Sequence, residues 1–239
     1  MGKTRLIATA PGPAYVICSD DESKLDSAAR VRDDFEYDLV NDTRGPQLLA
    51  QMEGAIRAAQ EGVASGRYQT VAFDTLSTFT RYLIGAELLA DENPMTAFPR
   101  YGRRVTNYLG RILAIDAHIL VLSHDYLVSQ ELPGQLKKHG DGIVPAVEGG
   151  VRSQIAGLFR DVVYLQKKPG GTDERILACS IKGVYGIGSN TLPGVETIAP
   201  DISKFIEMGT TFAEQGSKGQ TPGQTTKTQV TQSKPQPKK

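Results

Sequence analysis

The chain opens on Met1-Gly2-Lys3-Thr4, and the triplet Gly-Lys-Thr constrains its fold more than any other feature of the sequence. In a complete phosphate-binding loop, Gly-x-x-x-x-Gly-Lys-Ser/Thr follows a buried strand and its backbone amides cradle phosphates. The lysine reaches the terminal phosphates and the hydroxyl holds Mg²⁺. Only the last three positions of that motif are present, and the triplet alone is equally compatible with an ordinary helix start. The segments that follow therefore decide between a phosphate loop and an ordinary helix start.

The residues after the triplet have the order that a phosphate loop requires. Residues 5–10 have the pattern of a short helix, whose N-terminal dipole would face the phosphates. Pro11-Gly12-Pro13 ends that helix, because proline cannot continue the helical hydrogen-bond pattern. Ala14–Cys18 is a short apolar run, typical of a strand buried in a parallel sheet. The sequence thus predicts a phosphate loop, a helix and a strand in that order.

Apolar runs alternate with helical patterns over most of the remaining chain. Helices are expected over 45–66, 76–89, 105–113 and 151–159. Strands are expected at Thr70–Asp74, His118–Ser123, Asp161–Gln166 and Arg175–Ile181. This alternation predicts an α/β fold with a mostly parallel sheet, helices on both faces and an antiparallel edge.

The composition indicates one globular domain followed by a basic tail. With 239 residues, 39% of them hydrophobic, the chain can bury a sizeable core. We assign residues 1–209 to the domain and residues 210–239 to a disordered tail, because almost no large apolar side chain follows Phe212. Formal net charge is zero, yet Glu214–Lys239 holds five lysines and one glutamate. Positive charge is therefore concentrated at the C-terminus.

The cysteines and the absence of targeting segments predict a cytoplasmic protein. Cys18 and Cys179 both lie in apolar runs, which suits buried thiols in a reducing compartment. Neither a signal peptide nor a stretch long enough to span a membrane is visible in the sequence. We therefore expect no membrane partner.

Polar residues follow three of the predicted strands. Asp74 ends the strand Thr70–Asp74, where a carboxylate can hold Mg²⁺ beside a phosphate loop or can cap the next helix. A carboxylate of Ser19–Glu22 could orient water, although a solvated turn is the alternative. His124 could sense a γ-phosphate or could be an ordinary polar strand end. Because open α/β sheets bind ligands at the carboxyl ends of their strands, this convergence favours a binding site.

With these residues the chain resembles the RecA-like ATPases. It is most similar to the phage-encoded RecA-like nucleotide-binding proteins associated with single-strand annealing and recombination, over Gly2 to about Gly209. Val16–Glu22 resembles the strand that ends in the family's catalytic glutamate, and Thr70–Thr75 resembles the Walker B strand. Leu120–His124 is similar to the strand whose polar end senses the γ-phosphate.

The resemblance implies ATP and Mg²⁺ as cofactors and a set of ligands for them. Gly2, Lys3 and Thr4 would bind the phosphates, while Thr4 and Asp74 would hold Mg²⁺. The resemblance also implies that the first strand and the start of the phosphate loop stand ahead of Met1. The chain as written is therefore expected to bind nucleotide weakly.

The resemblance assigns catalytic roles to residues outside the triplet. Glu22 would activate water, and Lys3 would neutralise charge. His124 would couple the γ-phosphate to the loop Asp125–Glu148. Lys182 ends the strand that resembles the one reaching a neighbouring subunit's nucleotide, so it would act in trans within a homo-oligomer.

The segment Asp125–Glu148 is expected to contact DNA. It is long for a connection without structure of its own, and such loops are functional or disordered. Lys137 and Lys138 lie among glycines in it, at the position of the DNA-contacting loop of the resembled family. A flexible basic loop can follow a phosphate backbone, and a plain solvated loop is the alternative.

Together these features predict a phage protein that hydrolyses ATP and acts on single-stranded DNA in recombination or annealing. We expect it in the bacterial host cytoplasm, with single-stranded DNA, further copies of itself and a single-strand DNA-binding protein as partners. Two alternatives stay open. One is a nucleotide-dependent DNA-binding replication accessory module without meaningful turnover, and the other is a helicase- or packaging-type motor.

Overall fold

The structure is a computed structural model that describes residues 2–91, 93–128, 142–170, 173–180 and 187–218. The helices are α1 (Lys3–Ile7), α2 (Asp26–Ala29), α3 (Gly45–Ala64), α4 (Leu76–Ala90), α5 (Pro94–Leu113), α6 (Arg152–Ile155) and α7 (Ile202–Lys218). The strands are β1 (Ala14–Cys18), β2 (Phe35–Leu39), β3 (Thr70–Asp74), β4 (His118–Leu122), β5 (Asp125–Val128), β6 (Gly142–Pro145), β7 (Asp161–Val162), β8 (Tyr164–Lys167), β9 (Arg175–Ala178), β10 (Gly188–Ser189) and β11 (Thr197–Ile198).

Four parallel strands form the central sheet in the order β2-β1-β3-β4, which confirms the predicted α/β fold. β1 and β3 are buried along their whole length, as continuous apolar runs covered on both faces should be. Cys18 lies opposite Asp74, and Asp74 lies opposite Leu122. These strands therefore end level, and the residues that follow them meet at one edge of the sheet.

Each strand of the sheet sends alternate side chains to opposite faces, and helices cover both. Ile17 and Phe73 point into the larger core, which α3, α4 and α5 complete. Val16 and Ala72 point to the opposite face and pack with Ile7 of α1. Helical residues of the larger core include Leu48, Met52, Phe79, Leu83, Tyr101 and Leu109.

The antiparallel strands pair among themselves, so the predicted antiparallel edge of the parallel sheet is wrong for the described residues. β8 and β9 belong to a three-stranded sheet of order β11-β9-β8, and β7 pairs with β10. Hydrophobic periodicity marks where strands lie but does not specify their partners. The helix predicted over 151–159 is instead broken, with α6 between the 3₁₀ turns Gly149–Val151 and Ala156–Leu158.

Part of the segment predicted as a loop without structure forms a β-hairpin. β5 pairs with β6, with Asp125 opposite Pro145 and Val128 opposite Gly142. These apolar runs are only four residues long, too short to distinguish a strand from a loop by pattern alone. Residues 129–141, between the two strands, lie outside the described residues.

Helix α7 extends further than the predicted domain boundary. It runs to Lys218, so residues 210–218, predicted to belong to the disordered tail, are helical. Its start is fixed to the turn that follows α1, because the amide of Ile202 donates to Thr9 Oγ1 at 3.0 Å and the Ser203 hydroxyl donates to the Thr9 carbonyl at 2.8 Å. Phe212 stands seven residues, or about two helical turns, beyond Phe205. The apolar spacing of the helix therefore continues past Gly209. Residues 219–239 lie outside the described part of the chain.

No helix in the described residues is both long enough and apolar enough to cross a membrane.

Candidate functional site

Thr4 and Asp74, the two residues predicted to hold Mg²⁺, are in direct contact at the carboxyl edge of the parallel sheet. The hydroxyl of Thr4 donates a hydrogen bond to Oδ2 of Asp74 at 2.6 Å. Thr4 lies in the first turn of α1, which begins after Gly2, and Asp74 is the last residue of β3. The helix start and the strand end therefore meet as a single polar site.

Asp74 is a buried carboxylate with only one of its two oxygens hydrogen-bonded to a described residue. Its side chain is 1% exposed, and its second oxygen, Oδ1, has no hydrogen-bond partner among the described residues. Burial raises the pKa of this carboxyl above its usual value, and the hydrogen bond from Thr4 partly offsets that effect. A buried carboxylate with a free oxygen costs free energy unless a cation or donor compensates it. The alternative role, capping α4, is filled by Thr75, whose Oγ1 accepts from the amide of Thr78 at 3.3 Å.

These groups fit a magnesium ion that is bound together with phosphates. Mg²⁺ is commonly held by one or two carboxylates plus the oxygens of its substrate, not by a cage of protein side chains. Within the described residues there is no cluster of three or more His, Cys, Asp or Glu side chains that could hold a metal. A metal ion at Thr4 and Asp74 would therefore need further ligands, such as phosphate oxygens, to complete its coordination shell.

Lys3 and His124 form the second contact of the site. Lys3 Nζ lies 3.3 Å from Nδ1 of His124, which stands two residues beyond the end of β4. Burial, followed by the positive charge of Lys3, lowers the pKa of His124. The neutral imidazole that results can accept a hydrogen bond from the lysine. The amide of His124 donates to Ser77 Oγ at 2.9 Å, which fixes the backbone of His124 to α4.

Asp20 is a buried carboxylate of this site that the sequence pattern did not single out. It is 7% exposed and follows β1 by two residues. Its Oδ1 accepts from the hydroxyl of Thr78, and its Oδ2 accepts from Lys24 Nζ at 3.0 Å. Burial alone would raise the pKa of Asp20. The hydrogen bonds from Thr78 and Lys24 outweigh burial and lower this pKa, and His124 lowers it further. Asp20 is therefore held as a carboxylate at the same sheet edge.

Glu22, the residue predicted to activate water, is not brought to this cluster. Its side chain is exposed and accepts a hydrogen bond from the hydroxyl of Tyr37 in β2. Asp21 caps the 3₁₀ turn that starts at Glu22, because its carboxylate accepts from the amide of Ser23 at 2.9 Å. That turn carries Glu22 away from the end of β1. A signal for Asp20 was present in the sequence, since Lys24 stands four residues later, where side chains on a helical turn meet.

The ends of β1 and β3 are locked together by hydrogen bonds. The Ser19 hydroxyl donates to the carbonyl of Thr75 at 2.6 Å, and the amide of Thr75 donates back to Ser19 Oγ at 3.1 Å. The amide of Ser19 also donates to the carbonyl of Asp74 at 2.8 Å. These bonds fix the spacing between the strand ends that carry Asp20 and Asp74.

The hairpin of β5 and β6 is attached directly to His124. The carbonyl of His124 accepts from the amide of Ala146 at 2.8 Å, which closes the base of the hairpin. On β5, the ring of Tyr126 lies under the guanidinium of Arg152, 4.1 Å from the ring centroid. A displacement of His124 would therefore also move the base of the hairpin.

Three predicted site residues, Lys137, Lys138 and Lys182, lie outside the described residues. Comparison of the chain with protein-family models, with curated proteins and with solved structures finds no match.

Proposed function

We propose that the chain is a RecA-like ATPase that binds ATP with Mg²⁺ at the carboxyl edge of its parallel sheet and acts on single-stranded DNA in phage recombination or annealing. The contact between Thr4 and Asp74, beside Lys3, carries this proposal. A cation, a hydroxyl and a buried carboxylate lie together there, and phosphoryl-transfer sites of the P-loop kind use the same three groups.

Lys3 supplies the positive charge that the phosphates need. Among the described residues, its ammonium contacts the neutral ring nitrogen of His124 and no carboxylate, so its charge is available to an anion. Thr4 Oγ1 and the free oxygen of Asp74 are the groups that would hold Mg²⁺, which when bound offsets phosphate charge. His124, within reach of Lys3, is the group that would respond to the terminal phosphate.

Asp20 replaces Glu22 as the carboxylate that orients the attacking water in this proposal. It is buried and ionised, whereas Glu22 is exposed and bonded to Tyr37. A buried carboxylate at the edge where the strands end can accept a hydrogen bond from water and hold it in place.

One observation favours a second function, nucleotide-dependent binding of single-stranded DNA with little turnover. Both oxygens of Asp20 are already engaged, by Thr78 and Lys24, and these partners lower its pKa. A carboxylate with a low pKa is a weak general base at neutral pH. ATP would then act mainly as a switch for the DNA-binding element.

The proposed DNA-binding element is the hairpin of β5 and β6 with the segment between them. The hydrogen bond from Ala146 to the His124 carbonyl joins its base to the nucleotide site. Lys137 and Lys138 lie in the intervening segment and stay the proposed phosphate contacts. Lys182 stays the proposed group acting in trans, within an oligomer of this chain.

The test is ATP binding and phosphate release by the full chain, measured with and without Mg²⁺ and single-stranded DNA. Lys3→Ala is expected to lower ATP affinity about tenfold to a hundredfold, the loss expected for one charge-assisted hydrogen bond. Lys168→Ala is the matched control, since Lys168 is exposed and pairs with Glu174. Equal ATP affinity of the two variants would remove Lys3 from the site.

Phosphate release separates the two functions. Release that single-stranded DNA stimulates supports the ATPase. Binding of ATP that changes DNA affinity without release supports the second function. A chain that binds no ATP in the presence of Mg²⁺ contradicts both.

A further inference from the structure

Lys24 is a cation of the candidate site that the proposed function does not bring into contact with the nucleotide. It lies on the 3₁₀ turn Glu22–Leu25, and its Nζ stands 3.0 Å from Oδ2 of Asp20. The carboxylate of this ion pair is buried, with 7% of its side chain exposed, whereas 53% of the Lys24 side chain is exposed. The ammonium therefore covers the solvent side of Asp20.

The positive charge of Lys24 acts on both contacts of the candidate site. Burial raises the pKa of Asp74, and the charge of Lys24 is among the effects that oppose this rise. Burial and the charge of Lys3 lower the pKa of His124, and the charge of Lys24 lowers it further. The ammonium of Lys24 therefore lies within electrostatic reach of the proposed magnesium ligand and of the group proposed to respond to the terminal phosphate.

Cations from three separate elements act on His124. Lys3 stands in α1, Lys24 on the 3₁₀ turn after β1, and Arg81 in α4. Arg81 is exposed and lies one helical turn beyond Ser77, whose Oγ accepts from the amide of His124 at 2.9 Å. Its charge adds to the effect of burial on the pKa of His124. Three positive charges around one neutral imidazole suit a ligand with several phosphates, because separate phosphate oxygens can accept from separate cations.

The ion pair between Lys24 and Asp20 is of the kind that a phosphate can displace. An ion pair with an exposed partner contributes little net stability, because water and salt screen its charges. A terminal phosphate carries more charge than one carboxylate and offers three oxygens to a donor. The lysine stem is flexible, so the ammonium can turn from one acceptor to another while the 3₁₀ turn stays in place. Asp20 would keep the hydrogen bond from Thr78 to its Oδ1.

We propose that Lys24 is a switch that leaves Asp20 for the terminal phosphate of a bound nucleoside triphosphate and thereby frees Oδ2 of Asp20 for a water molecule. This inference rests on the proposed function, because it takes Lys3 and Thr4 as the place where the phosphates bind. A diphosphate lacks the group that draws Lys24 away, so the ion pair stays closed when ADP is bound. The switch removes the conflict between a carboxylate that orients water and one whose two oxygens are both engaged.

Nucleotide affinities of the full chain in the presence of Mg²⁺ test the switch, with a non-hydrolysable ATP analogue compared with ADP. Lys24→Gln is expected to lower affinity for the analogue by about tenfold and to leave affinity for ADP within about twofold, because only the analogue carries the third phosphate. Lys168→Gln is the matched control and should change neither affinity, since Lys168 is also half-exposed and pairs with Glu174 at 2.9 Å. An equal loss for both nucleotides in Lys24→Gln, or no loss, would overturn the switch.

A double-mutant cycle with Asp20→Asn separates an exchange of partners from a general effect of charge. In Asp20→Asn the ammonium has no carboxylate to leave, so affinity for the analogue is expected to rise by about threefold to tenfold. The same change made in Lys24→Gln should leave that affinity unchanged. A gain of equal size in both backgrounds, or one that extends equally to ADP, would overturn the exchange. If the unsubstituted chain bound neither nucleotide, the proposed function would fail together with the switch, whereas equal losses in Lys24→Gln would remove the switch alone.

Discussion

Thr4 and Asp74 stand seventy positions apart, and the hydroxyl of Thr4 donates a hydrogen bond of 2.6 Å to Oδ2 of Asp74. The bond joins the first helix of the chain to the end of a central strand. It satisfies one oxygen of the buried carboxylate, and the other oxygen has no partner in the described residues. The contact therefore has a structural role, and the magnesium-binding role that we propose for the same pair can be separated from it by substitution.

Thr4→Val is expected to destabilise the fold by about 1–3 kcal/mol, because the buried carboxylate of Asp74 loses its donor. Thr4→Ser keeps a hydroxyl at the same position and should retain most of the stability. Urea unfolding of the two variants measures the difference. A Thr4→Val protein as stable as Thr4→Ser would mean that the hydrogen bond contributes nothing to the fold.

Asp74→Asn should have opposite effects on stability and on magnesium binding. Burial raises the pKa of Asp74 in the folded state, so ionisation of this group costs stability as the pH rises above its unfolded value of 3.8. The amide removes that cost at neutral pH while still accepting from Thr4. We expect stability without Mg²⁺ to be equal or higher, and Mg²⁺-dependent ATP binding to be weaker. Unfolding and calorimetric titration on the same preparations check this, and unchanged Mg²⁺ dependence would contradict the ligand role.

The central sheet could be predicted because its strands are short continuous apolar runs. Thr70–Asp74 and Ala14–Cys18 have the predicted bounds, since full burial on both faces leaves an uninterrupted hydrophobic signal. β2 was missed because it lies at an edge and its three middle residues, Glu36, Tyr37 and Asp38, are exposed, with only Phe35 and Leu39 partly buried. Edge strands carry a weaker pattern because only part of their surface is buried.

The candidate site could be predicted where a residue belongs to the Gly-Lys-Thr triplet, as Lys3 and Thr4 do, or stands at or just after the end of a strand. Asp74 satisfies that condition, and the pattern located it. The choice between Asp20 and Glu22 depends on the path of a turn stabilised by Asp21, which hydrophobic periodicity does not encode. Hydrogen bonds across strands, such as that between Thr78 and Asp20, become visible only in three dimensions.

Asp20→Asn is expected to reduce phosphate release strongly, and Glu22→Gln is expected to leave it almost unchanged. Asp20 is buried beside the site, whereas Glu22 is exposed and bonded to Tyr37. Loss of a general base lowers the rate by about 10²–10⁴-fold where turnover occurs. Steady-state release at saturating ATP compares the variants, with ATP binding as a check on folding. A larger loss for Glu22→Gln would return the water-orienting role to Glu22.

The His124 side chain should make stability depend on pH. Burial and Lys3 lower its pKa in the folded state, so the unfolded chain binds more protons than the folded one near that pKa. This contribution to stability is present above the unfolded pKa of about 6.5 and is lost as the pH falls toward the folded pKa. His124→Gln should flatten the loss of unfolding free energy between about pH 7 and pH 5. Identical pH profiles of the two proteins in urea would mean that burial does not perturb His124.

Basic residues between β5 and β6 are expected to bind single-stranded DNA more strongly than those of the C-terminal segment. Replacing Lys137 and Lys138 with Ala should lower affinity and reduce the salt slope by about 0.7 for each phosphate that a lysine no longer neutralises. It should also weaken the response to a non-hydrolysable ATP analogue, because the hairpin base is bonded to His124. Deleting residues 219–239 removes four lysines but leaves α7 complete, so it should lower affinity modestly and keep the ATP response. Binding across a salt series, with and without the analogue, compares both proteins with the full chain. If the deletion abolished binding while the double lysine variant kept its affinity, salt slope and ATP response, the C-terminal segment would be the DNA-binding element.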